Sequence, residues 1–128
     1  MSIRILQLGS PRAPGEGLRL GTVRRPPRGV PKAEFAKRDY YDVWLPALSP
    51  SAELVKAGLS VTDEADWRRF ARAFRGEMGQ ADASRLLDLL AALSQQTDFS
   101  LGCYCEDEHR CHRSLLRELL AERGARLA

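Results

Sequence analysis

Hydrophobic positions recur along this chain with two different periods. Ile3, Ile5, Leu6 and Leu8 follow strand spacing and run into Gly9-Ser10-Pro11, which predicts a first strand over residues 2–8. Residues 10–17 hold two prolines and two glycines and read as a loop. A second short strand is predicted over residues 18–23. Phe99, Leu101, Cys103 and Cys105 alternate with Ser100, Gly102 and Tyr104, which predicts a third strand over residues 98–105. The aromatic and β-branched run Tyr40-Tyr41-Asp42-Val43-Trp44-Leu45 reads as a strand or extended segment, or as a short helix, ended by Pro46.

Elsewhere the period is helical. Trp67, Phe70, Ala71, Phe74 and Met78 fall on one face of a helix near 63–78. Thr62 is its expected hydroxyl cap, acids fill its first turn, and Gly79 stops it. A helix over 81–94 is expected to bury Leu86, Leu89, Leu90 and Leu93. Leu115, Leu116, Leu119 and Leu120 predict a last helix over 111–124. Ser49-Pro50 reads as the cap and first position of a shorter helix that ends at Gly58. The expected fold is a single α/β domain over residues 1–128, with a small, partly parallel sheet covered by helices in two or three layers.

Length and composition agree with that picture. At 128 residues the chain can bury a real core. No apolar run is long enough to span a membrane, and the first residues read as a strand rather than a signal peptide. The three cysteines lie within nine residues, which argues against a disulfide framework and fits a reducing, cytoplasmic setting. The net charge of +3 is unevenly spread. Residues 1–38 carry nine Lys/Arg against two acids, residues 39–108 six against thirteen, and residues 109–128 five against two. Basic charge at both ends suits an anionic small molecule or nucleic acid as partner, and equally a solvated basic surface. The pattern leaves the oligomeric state open.

Two stretches carry candidate chemistry. Arg24-Arg25-Pro26-Pro27-Arg28-Gly29-Val30-Pro31 excludes a helix or a central strand and makes a stiff loop bearing three arginines. Arg24, Arg25 and Arg28 are candidate ligands for phosphate or carboxylate, and a stiff backbone loses less entropy on binding them. The plainer reading is a proline-rich surface connection. The second stretch, residues 99–116, holds every cysteine and histidine of the chain on a strand, a polar loop and the start of a helix. Free N–H groups at that helix start favour an anion, with Arg110, Arg113 and Ser114 as further candidate ligands.

Three functions follow from that junction. The first is a module that binds, or acts on, a phosphate-bearing ligand such as a nucleotide or nucleic acid. The second is a thiol or metal enzyme. Cys105 is its candidate nucleophile, with Glu106 and His112 as candidate catalytic partners. Zinc is the candidate metal, held by Cys105, His109, Cys111 and His112; Cys103 is an alternative ligand and otherwise a buried packing residue. The adjacency of Cys111 and His112 and the lack of a Cys-x-x-Cys pair weaken the metal reading, so no cofactor is required. The spacing from Cys105 to Arg110 and Arg113 also misses that of the cysteine phosphatases. The third is a structural or partner-binding domain that uses the arginine-bearing helix near 63–78.

The run Cys105-Glu106 … Cys111-His112-Arg113-Ser114-Leu115-Leu116 resembles the signature of the family called domain of unknown function 488. Pro27-Arg28-Gly29-Val30, Val43-Trp44-Leu45, Leu48-Ser49-Pro50-Ser51-Ala52-Glu53-Leu54 and Trp67 through Phe70 to Phe74-Arg75 resemble its YeaO-like branch, in the same order. The resemblance covers most of the chain. It implies a small α/β domain whose Pro-Arg-Gly and Cys-His-Arg loops line one pocket, and it names no reaction. His109 departs from the pattern, because many members carry proline there, and it adds a candidate ligand or base.

Overall fold

The computed structural model describes residues 1–128. Its strands are β1 (Ile3–Gln7), β2 (Leu18–Gly21), β3 (Val43–Trp44) and β4 (Phe99–Cys103). Its helices are α1 (Ala52–Leu59), α2 (Glu64–Met78), α3 (Ala81–Leu93) and α4 (His112–Glu122). Short 3-10 turns occupy Lys32–Glu34, Pro46–Leu48 and Glu108–Arg110. The sheet order is β1-β4-β2-β3, and every neighbouring pair is parallel. The fold is therefore α/β with a wholly parallel sheet, where the sequence pattern indicated only a partly parallel one. No helix is long and apolar enough to cross a membrane.

The last strand in sequence lies between the first two. Phe99–Cys103 pairs with Ile3–Gln7 on one side, and Phe99–Gly102 pairs with Leu18–Gly21 on the other. One sheet face carries Ile3, Leu20, Phe99 and Leu101, which pack with Phe70, Phe74, Leu87, Leu90, Leu116 and Leu120 of the helices in the main core. Each such side chain, when fully buried, contributes about 1.5–3 kcal/mol through removal from water.

The opposite face is covered by irregular chain. The crossover from β1 to β2 passes over β4, and the residues beneath it are small. A Cβ on Gly102 would lie 2.4 Å from Leu8 Cδ2, and the Ser100 hydroxyl donates to Glu16 Oε2 at 3.3 Å. The crossover from β2 to β3 lays Tyr41 over Gly21, where a Cβ would meet the ring at 2.3 Å. Arg19 points into this layer fully buried. It pairs bidentately with Glu16, at 2.9 and 3.0 Å, and donates to the carbonyls of Ser10 and Asp39 at 2.8 and 2.6 Å.

Several boundaries differ from the sequence expectation. The strands are shorter, and β4 ends at Cys103, so Cys105 lies in the following loop. The cap of α1 is Ser51, which accepts from Leu54 N at 3.2 Å. Ser49 instead closes the preceding 3-10 turn by donating to Pro46 O at 2.7 Å. The cap of α2 is Asp63, whose carboxylate accepts from Asp66 N at 2.8 Å, while Thr62 donates its hydroxyl to Asp66 at 3.0 Å. Helix α3 buries Ala83, Leu87, Leu90 and Ala91 and leaves Leu89 and Leu93 exposed. Its leucines occupy two faces, and the side bearing the alanines turns inward.

Candidate functional site

In a parallel sheet the carboxyl ends of the strands open into the loops that build binding sites. Here the ends of β2 and β4 lie side by side. Thr22 through Arg28 leaves one, Tyr104 through Cys111 leaves the other, and both segments face a cleft of about 800 Å³. Pro50, Val55, Leu59 and Phe70 form its apolar wall. Arg24, Arg25, Arg28, Lys56 and Arg110 line it, and none of its lining residues is acidic. The Tyr104 hydroxyl donates to Arg25 O at 3.0 Å and ties the two loops together. A smaller hollow of about 450 Å³ has mixed charge, with Arg24 beside Glu77 and Asp82.

The five arginines singled out in the sequence differ in what they do. Arg25 and Arg28 are exposed on the cleft rim. Arg24 is half-buried and donates to the carbonyls of Pro46, Ser49 and Pro50 at 3.0–3.3 Å, so its guanidinium braces the turn before α1. Arg110 reaches the cleft while pairing with Glu64 at 3.3 Å and lying over the Trp67 ring at 5.9 Å. Arg113 is buried and donates to the Cys105 carbonyl. Lys56, on α1, joins the cationic lining; no motif surrounds it, and only the fold places it there.

The loop between β4 and α4 is held by its own acids. Asp107 accepts from His109 N at 2.9 Å, and Glu108 forms a bidentate pair with Arg117 at 2.7 and 3.0 Å. The Arg117 bond holds the Glu108 carboxyl below its usual range against the opposing effect of burial. Glu106 remains exposed. Helix α4 begins at His112 with Cys111 at its cap position, and no side chain caps it. Ser114 donates its hydroxyl back to Cys111 O at 2.9 Å.

The thiols converge beneath this loop. Cys103 and Cys105, two apart at the strand end, hold their sulfurs 3.8 Å apart. Cys103, Cys111 and His112 are buried, and their ligand atoms all lie within 4.8 Å of one another. His109 does not belong to this group. His112 Nε2 stands 2.7 Å from Thr22 O, which can only accept, so Nε2 carries the proton and Nδ1 faces Cys111 Sγ at 3.7 Å. Hydrogen bonding to Cys103 and Cys111, aided by the Arg113 charge, pulls the Cys105 thiol far below its usual range against partial burial. Cys103's own bonds to Cys105 and Cys111, together with burial, push its thiol up. The structure thus brings Cys103 into the cluster, although the sequence favoured a packing role for it. The signal was present in its spacing to Cys105 on one strand face.

The family model described as the active DUF488-N3 subclade matches residues 3–124. No curated protein and no solved structure matches the chain. With the match covering nearly the whole fold and both loops of the cleft, the chain belongs to the DUF488 family.

Proposed function

We propose that this protein binds a phosphate-bearing ligand, such as a nucleotide or a short single-stranded nucleic acid, in the cleft between the Pro-Arg-Gly loop and the Cys-His-Arg loop. The observation that carries this reading is the cleft lining, with five cationic side chains, no carboxylate, and an apolar wall suited to a base or ring. The uncapped start of α4, whose Cys111 and His112 line the same cleft, adds backbone donors of the sign an anion requires. Arg25, Arg28 and Lys56 are the contacts expected to reach the ligand.

A second reading, thiol chemistry on that ligand, rests on Cys105. It is exposed at the cleft with its ionised form favoured by its neighbours. In this reading Cys105 is the nucleophile, Glu106 orients the ligand, and His112 stabilises the cluster.

Binding of ADP, ATP and a short single-stranded oligonucleotide, measured at two salt concentrations, tests the proposal. Binding that weakens with salt, and whose salt slope for the oligonucleotide falls by about 0.7 in Arg28→Ala, is the expected result. Equal binding by wild type and by an Arg25→Ala, Arg28→Ala, Lys56→Ala triple variant overturns it.

A further inference from the structure

We infer that Cys103, Cys105, Cys111 and His112 Nδ1 form a tetrahedral zinc site in the floor of the cleft. The sequence pattern suggested a different set, with His109 in place of Cys103. The inference goes beyond the anion reading and stands independently of it, because none of the four ligands belongs to the cationic lining.

Four observations support it. The first is distance. Zinc–sulfur bonds of about 2.3 Å and zinc–nitrogen bonds of about 2.0–2.1 Å make tetrahedral edges of about 3.8 Å between sulfurs and about 3.6 Å between sulfur and nitrogen. The Cys103–Cys105 sulfurs are 3.8 Å apart, and Cys111 Sγ stands 3.7 Å from His112 Nδ1. The second is the tautomer. Donation from Nε2–H to Thr22 O leaves the Nδ1 lone pair for the metal and fixes the ring plane, as the outer partners of metal-bound histidines do. This also removes the objection to adjacent ligands, since Nδ1 is the ring nitrogen nearer the backbone and meets the sulfur of the preceding residue.

The third is burial. Cys103, Cys111 and His112 are closed off from water, and their ligand atoms gather within 4.8 Å of one another. Cys105 lies outside that group, exposed at the cleft surface, with its sulfur 3.8 Å from that of Cys103, and is the fourth ligand that the inference adds. Thiolates and imidazole are the donor set that zinc prefers. The fourth is charge. Three thiolates and Zn²⁺ sum to −1, and the buried guanidinium of Arg113 lies beside them, holding the Cys105 carbonyl. Its Nε has no hydrogen-bond partner. A thiolate–zinc centre would add a negative charge beside this buried cation, whose hydrogen bond goes to a neutral carbonyl and which also feels the Glu108 carboxylate. Metal binding at these groups displaces the thiol protons to solvent, and no electron transfer is involved.

The test uses the reduced full chain stripped with a chelator, titrated with cobalt(II) as a spectroscopic probe and then with zinc. The expected result is one equivalent bound, with a thiolate-to-cobalt charge-transfer band of three-thiolate intensity that zinc abolishes. Cys105→Ser, at the exposed ligand, is expected to fold, to lose about one third of that band, and to weaken zinc by more than the roughly 10–100-fold that outer-shell changes cost. His109→Ala is expected to leave band and affinity unchanged. Three outcomes overturn the inference: wild-type protein that takes up no cobalt, a band unaltered in Cys105→Ser, or one lost in His109→Ala. Oligonucleotide binding by the stripped protein is read in parallel, so failure of the metal site and failure of the anion cleft are separately visible.

Discussion

His112 Nε2 donates to the carbonyl oxygen of Thr22 at 2.7 Å, joining residues 90 positions apart in the chain. The bond links the end of β2 to the first residue of α4. The imidazole also packs edge-on against Phe74 of α2, with centroids 5.5 Å apart. One side chain thus connects the sheet, two helices and the thiol cluster. His112→Ala leaves a buried carbonyl without its donor and opens a gap beside Phe74. It is expected to cost about 2–4 kcal/mol in urea unfolding of the metal-free protein. A loss under about 0.5 kcal/mol would show that this bond does not hold β2 to α4.

Cys105 is expected to alkylate selectively in reduced, metal-free protein. A free thiol of pKa near 8.5 gains roughly 80-fold in thiolate between pH 6 and pH 8. Because its neighbours pull its pKa down, Cys105 is expected to carry its charge already at pH 6. Its rate with iodoacetamide should change less than about two-fold over that interval. Buried Cys103 and Cys111 should react only on unfolding. Mass spectrometry of the labelled sites checks both statements, and a Cys105 rate that climbs with pH like free cysteine refutes the first.

Glu16 makes stability sensitive to acid. Burial raises its pKa, but the hydrogen bonds from Arg19, Ala13 N and Ser100 outweigh burial and hold the carboxyl below its ordinary value. A depressed carboxyl stabilises the fold above its unfolded-state pKa, and that contribution is lost as pH falls through the folded-state pKa. Glu16→Gln at pH 7 leaves Arg19 buried without its counter-ion and is expected to cost about 3–5 kcal/mol. The gap between variant and wild type should close below about pH 4. Denaturation midpoints at pH 7 and pH 3 measure it; a gap that is the same at both contradicts the ion-pair account.

Gly21 is the contact point of the irregular layer. Gly21→Ala drives a methyl into the Tyr41 ring and is expected to cost at least about 1–3 kcal/mol. In a Tyr41→Ala background the same change should cost less, by a coupling of about 0.5–3 kcal/mol. Additive costs in the double-mutant cycle would mean that the glycine is required for another reason.

What the sequence disclosed depended on periodicity. Helices α2 and α4 were legible because Phe70, Phe74 and Met78, and Leu115, Leu116, Leu119 and Leu120, recur on one face each. Helix α3 was legible as a helix but not in rotation, because leucines lie on two of its sides. The layer over the second sheet face has no period at all. Its signal is negative, in the small Ser100, Gly102 and Gly21, and it becomes readable only once the crossing chain is seen. In the site, the strand–loop–helix junction was accessible from spacing, whereas the exposure of Cys105 was not, because the alternation carried the expected strand through residue 105 and β4 ends at Cys103. Nor was it legible that Arg24 braces a turn and Arg113 holds a carbonyl, because both depend on carbonyls brought near by the fold.

The strand order has a kinetic corollary. The five-residue strand β1 pairs with β4, whose first residue lies 96 positions later, and through Ile3 with Leu127 at the far end of the chain, while β2 has only the two residues of β3 beside it until β4 inserts. Loop-closure entropy must be overcome before any of that pairing is rewarded. During synthesis from the amino terminus, β1 would therefore emerge early with both edges open and stay so until nearly the whole chain is available. The cleft, the thiol cluster and the sheet then come into being together, so a fragment ending before residue 99 should have none of them.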